Sequence, residues 1–67
     1  MRNQELDEVV KAQGSAYFMV QALRALKRLG GESSQLVADR FIAEALQMES
    51  ALNELFEKLI EEADENH

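Results

Sequence analysis

Two long runs of apolar residues at helical spacing, one on each side of Gly30-Gly31, organise this chain. Val9, Ala12, Ala16, Met19, Leu23 and Leu26 recur at alternating steps of three and four. So do Ala38, Phe41, Ala45, Met48, Leu52, Leu55 and Leu59. That period belongs to an amphipathic helix that presents one stripe to a neighbour. The pattern predicts helix one over about 3–29, a turn at 30–33, helix two over about 34–63 and a frayed acidic tail at 64–67. Folding back at the glycines sets the stripes side by side and antiparallel. Leu26 then meets Ala38, Met19 meets Ala45, Ala16 meets Met48 and Ala12 meets Leu52. Large mostly faces small, as close packing of two helices requires. The expected fold class is all-α, an antiparallel two-helix hairpin in a single domain.

Local signals agree with that reading. Asn3 is a good N-cap residue, and Glu5, Asp7 and Glu8 follow it where the helix dipole favours negative charge. Arg24, Lys27 and Arg28 stand at the opposite pole, and Gly30 sits where a left-handed C-cap belongs. Ser33 or Ser34 caps helix two. Asp7–Lys11, Arg40–Glu44 and Glu54–Lys58 are favourable pairs one turn apart. Gly14 interrupts helix one, which suggests a close crossing with a partner helix because Ser15 and Ala16 are also small.

One seam does not use up the apolar residues. Ile42, Leu46, Phe56, Ile60 and Ala63 form a second stripe on helix two, broken by Glu49 and Asn53. Val10, Tyr17, Phe18, Val20, Ala22 and Leu29 fall outside the inner row of helix one. Left wet, they would make a patch larger than soluble monomers tolerate. A second hairpin related by two-fold symmetry would cover them and make a four-helix bundle. Size points the same way, because 67 residues rarely supply more than about 3–5 kcal/mol from one core without a staple. With no Cys and a single His, at position 67, neither a disulfide nor a Cys- or His-based metal site can serve, so a homodimer is expected.

In pattern the chain resembles the Rop type of helical-hairpin dimer: similar length, two helices, a tight turn, and alternating small and large layers. The resemblance implies a two-fold bundle and, as an alternative function, a nucleic-acid-binding hairpin. It carries over no functional residues.

Charge argues against copying that function. Residues 1–31 hold five basic and three acidic side chains, whereas 32–67 hold two basic and ten acidic, for a net of −6. A chain this acidic is repelled by phosphate backbones, and Arg24, Lys27 and Arg28 are already accounted for by the helix dipole. Catalysis has no support. No Glu-x-x-His pair, no phosphate-cradling loop and no His inside the fold is present, so no catalytic, cofactor, small-molecule or metal site is assigned. The apolar stretch Ala12–Leu23 falls short of the roughly 20 residues a membrane span needs, and the acidic N-terminus is not a signal peptide, so a soluble cytoplasmic protein is expected.

What is left is binding. Tyr17 and Phe18 are adjacent and cannot both face one helix, so at least one aromatic leaves the seam. With Arg24, Arg28, Ile42, Leu46, Phe56 and Ile60 they form the candidate protein-interaction set, since aromatics and Arg dominate binding hot spots. The expected function is a small non-enzymatic regulator, like a phage-encoded inhibitor or anti-activator. It would bind another protein with a basic surface, such as a DNA-binding transcription regulator. A structural oligomerisation module is the other alternative.

Overall fold

The computed structural model describes residues 2–65. Two α-helices fill them, α1 (Arg2–Leu29) and α2 (Glu32–Glu65), with only Gly30 and Gly31 between. At about 1.5 Å per residue, 34 residues make about 51 Å, which matches the 53 × 15 × 12 Å extents of the molecule. The helices lie alongside one another as an antiparallel hairpin.

Both helices start earlier than their capping signals suggest. α1 begins at Arg2, so Asn3 lies inside it rather than capping it. α2 begins at Glu32, with Ser33 and Ser34 in its first turn, and runs through Asp64 and Glu65 where fraying is expected. The last two residues, His67 among them, lie outside the described part. Lys11 pairs with Glu8 at 3.2 Å rather than with the expected Asp7, and Arg40 reaches Glu44 at 4.0 Å. These contacts are solvent-exposed and contribute little.

The turn differs from the expected left-handed cap. No described glycine has a positive φ. Gly30 N–H donates to the Leu26 carbonyl at 2.8 Å, and Gln35 N–H donates to the Gly31 carbonyl at 3.0 Å, so each helix end is closed by one helical bond. Glycine is needed at position 30 for space. A β-carbon there would overlap that of Ser34 and stand 2.8 Å from the Leu26 carbonyl oxygen, whereas one at Gly31 meets nothing within 4 Å.

The core is a narrow strip of small side chains. Val9, Ala16 and Val20 are buried from α1, and Ala38, Ala45 and Leu59 from α2. Half-buried Leu6, Gln13 and Leu23, with Gly30, complete the strip on α1. Ile42, Glu49, Leu52, Phe56 and Ala63 complete it on α2. The steps still alternate between three and four, but the strip is turned relative to the expected seam. Met19, Leu26, Phe41, Met48 and Leu55, expected inside, are 40–48% exposed, and Val20, expected outside the inner row, is 3% exposed. The cause is side-chain bulk. Alanines at 16, 38 and 45 let the backbones approach closely. At these alanine layers Met19, Leu26, Phe41 and Met48 are too large to fit between the helices and stand beside the seam, whereas Leu52, Phe56 and Leu59 enter the strip toward the open end.

Gly14 is half-buried, and a β-carbon added there meets nothing within 4 Å. It is therefore no close crossing point within the hairpin. Gly14→Ala is expected to raise stability by about 0.5–1 kcal/mol, through the helix propensity gained at no steric cost. A urea titration measures this, and a midpoint that stays put or falls would contradict the open space at that position.

Candidate functional site

The Gln13–Asn53 and Lys27–Asp39 contacts cross from one helix to the other. The Gln13 side-chain amide donates to Asn53 Oδ1 at 2.8 Å, and Lys27 Nζ lies 2.7 Å from Asp39 Oδ1. Both pairs are centred on position 33, so they define one alignment of the helices. They also define a side. Gln13 and Lys27 belong to an inner row of α1, and Asp39 and Asn53 to the row that flanks the seam on α2. Residues seven apart share a helix face, so Leu46 and Ile60 of α2 join this flank. Val10, Tyr17 and Arg24 are its counterparts on α1. The flank mixes apolar, amide and charged groups.

The opposite flank has no polar side chain over its middle length. Ala12, Met19 and Leu26 line it from α1, and Phe41, Met48 and Leu55 from α2. With position 33 as the centre of alignment, Leu26 lies level with Phe41, Met19 with Met48 and Ala12 with Leu55, each to within about one residue's rise. The Arg40 guanidinium lies over the Phe41 ring at 5.7 Å and covers its edge.

The candidate interaction residues separate between these surfaces. Ile42 and Phe56 are half-buried in the hairpin seam, so the second stripe expected on α2 does not stand apart from the first. Leu46 and Ile60 are exposed on the mixed flank. Tyr17 lies on that flank and Phe18 further round, 53% and 71% exposed, their rings edge to face at 5.7 Å and 74°. Phe56, Glu57, Ile60 and Glu61 line a shallow depression of about 310 Å³, two apolar side chains one turn apart with two acidic residues along one side of them. Such a site suits a Lys or Arg side chain, which lays its stem on apolar atoms and its head on an acid. Arg24 and Arg28 are exposed near the turn. Leu29, expected outside the inner row, is exposed there as well, with Leu36 and Val37, which were not singled out from the sequence. Their positions fall outside the heptad rows that drew attention to the others.

Charge is graded along the hairpin. Residues 24–40, around the turn, carry four basic and two acidic side chains. The far end, 2–12 with 54–65, carries three basic and nine acidic. Among the described residues no group of three His, Cys, Asp or Glu could hold a metal ion, no buried side-chain polar atom lacks a partner, and no helix is long and apolar enough to cross a membrane. Comparison of the chain with protein-family models, with curated proteins and with solved structures gives no match.

Proposed function

We propose that this chain is a small non-enzymatic regulator. It works as a homodimer of hairpins, forming a four-helix bundle, and binds a protein with a basic surface so as to inhibit or modulate it. The observation that carries the reading is the Tyr17–Phe18 pair, two aromatic rings held against each other outside the hairpin core. Non-obligate interfaces mix apolar and polar groups much as an ordinary surface does, and their energy concentrates on a few aromatic and Arg anchors. The flank carrying Tyr17, Arg24, Leu46 and Ile60 has that composition. The depression at Phe56 and Ile60, lined also by Glu57 and Glu61 within the acidic end, favours a partner rich in Lys and Arg. A DNA-binding regulator fits this description, because carboxylates compete with phosphates for the same cations.

The test has two stages. Protein retained from a lysate by the immobilised hairpin is identified, purified and titrated against it. The Tyr17→Ala/Phe18→Ala double variant is expected to bind that partner at least about 30-fold more weakly, the effect of losing a hot-spot anchor. Higher salt is expected to loosen the complex. Equal affinity for the parent and the double variant, or no specific partner at all, overturns the reading.

A second reading has one observation in its favour, the Arg40–Phe41 stack, which shares the turn end of the hairpin with Arg24, Lys27 and Arg28 although Arg24 and Lys27 lie on the other flank. This is a basic and aromatic surface of the kind that holds nucleic acid. It predicts a salt-dependent mobility shift with RNA or DNA at low ionic strength.

A further inference from the structure

We infer that the uncharged flank formed by Ala12, Met19, Leu26, Phe41, Met48 and Leu55 is the seat of a second copy of this chain, with the two turns at opposite ends of the bundle. This rests on the dimer reading above and names its surface and orientation. Three independent observations carry it.

The first is area. The hairpin exposes 5297 Å². A compact monomer of 7.6 kDa exposes about 4,300 Å² by the usual scaling of surface with mass. The excess, about 1,000 Å², is close to the roughly 800 Å² that each partner contributes to a stable interface.

The second is composition. The cross-helix polar pairs, Gln13–Asn53 and Lys27–Asp39, lie on the other flank. A second copy seated on the Met19/Met48 flank leaves both of these pairs in water and meets charge only at the turn end, where Arg40 lies over Phe41 and reaches Glu44 at 4.0 Å; homodimer interfaces are the more apolar kind.

The third fixes the orientation, and it combines bulk with charge. Along the flank the layers run Leu26/Phe41, Met19/Met48, Ala12/Leu55. A two-fold axis across the hairpin at the methionine layer brings Leu26 and Phe41 of one copy onto Ala12 and Leu55 of the other. Both end layers then contain the same four side chains. A two-fold axis along the hairpin would crowd two Leu and two Phe into one layer and leave two Ala and two Leu in the other, overfull at one end and hollow at the other. The crosswise axis also sets the basic turn of each copy beside the acidic end of its partner, whereas the lengthwise axis sets like charge on like.

The experiment is light scattering on the parent and on Met48→Glu, Leu55→Glu and Leu46→Glu, with circular dichroism to verify that each remains helical. The parent is expected at the dimer mass. Met48→Glu and Leu55→Glu are expected to weaken association at least about 100-fold, since each change enters the interface twice. Leu46→Glu, on the mixed flank, is expected to stay dimeric. Orientation is read from a spin label on Gly31→Cys, a position with open space in a chain that has no other Cys. Turns at opposite ends place the labels about 35–40 Å apart, twice the rise from Met19 to Gly31. Turns at one end place them within about 20 Å. A monomeric parent overturns the dimer reading itself. A dimer that resists both Met48→Glu and Leu55→Glu, or that yields to Leu46→Glu as readily, overturns the assigned flank. A short label distance overturns the orientation.

Discussion

Val20→Asp is expected to unfold the hairpin, whereas Met19→Asp, one position earlier, is expected to leave it helical. Val20 is 3% exposed between the helices and Met19 is 48% exposed beside them. An isolated carboxylate buried at position 20 has no cation in the strip around it, which holds apolar side chains, Gln13 and the like-charged Glu49. Its desolvation cost is several kcal/mol, as large as the about 3–5 kcal/mol that a core of this size supplies. At position 19 the carboxylate reaches water and the seam is untouched, so the far-UV helix signal persists while self-association falls. The pair is a sharp test because the two positions are adjacent in sequence yet about 100° apart around the helix axis, one on the packed face and one beside it. Equal loss of helix signal in both variants would mean that the packed face runs through Met19, as the simple reading of the apolar stripe has it.

The second large effect lies in the turn. Gly30→Ala is expected to cost about 1–3 kcal/mol, the usual toll of forcing atoms into a filled space. The added methyl meets the Leu26 carbonyl at 2.8 Å as well as the Ser34 side chain, and a backbone oxygen cannot swing away. For a chain of this length each kcal/mol corresponds to about 4–8 °C in melting temperature. Gly31→Ala, next to it, meets open space and needs no left-handed backbone, so it is expected to leave the melt unchanged or to raise stability by about 0.4–1 kcal/mol by restricting the unfolded chain. Thermal melts of the two variants at one concentration decide it. If both fall alike, crowding at position 30 is not what selects the glycine there.

The contrast between Met19 and Val20 also marks how far the sequence could be read. Two helices broken at Gly30-Gly31 were legible, because a three-four repeat survives any choice of face. Val9, Ala16, Leu23, Ala38, Ala45, Leu52 and Leu59 belong to the strip under either choice, and all of them lie in it. The other half was misplaced. Taking the more apolar neighbour row, Met19, Leu26, Phe41, Met48 and Leu55, ignores how closely alanine-lined helices approach, and Gln13 and Glu49 occupy the inner positions instead. Hydrophobicity ranks which residues avoid water. It does not say which of them meet within one hairpin and which need another surface. The candidate binding residues show the same limit. Tyr17 and Phe18 stand outside the core, as adjacency on a helix requires, but Ile42 and Phe56 were assigned to a free stripe and lie half-buried in the seam. The capping signals misled by a residue or two, since the bonds at Gly30 and Gly31 are backbone to backbone and need no Asn or Ser.

The amide bridge between Gln13 and Asn53 has a consequence for how the two helices find their alignment. A repeat of seven residues invites slippage, because sliding one helix by seven restores much of the apolar match. Such a slide would bring Gln13 opposite Leu46 or Ile60, neither of which can accept its hydrogen bond, and would carry Lys27 from Asp39 to Glu32 or Leu46. Each bridge contributes little strength on its own, yet together they act like the teeth of a ratchet, holding a chain of near-equivalent notches at a single stop.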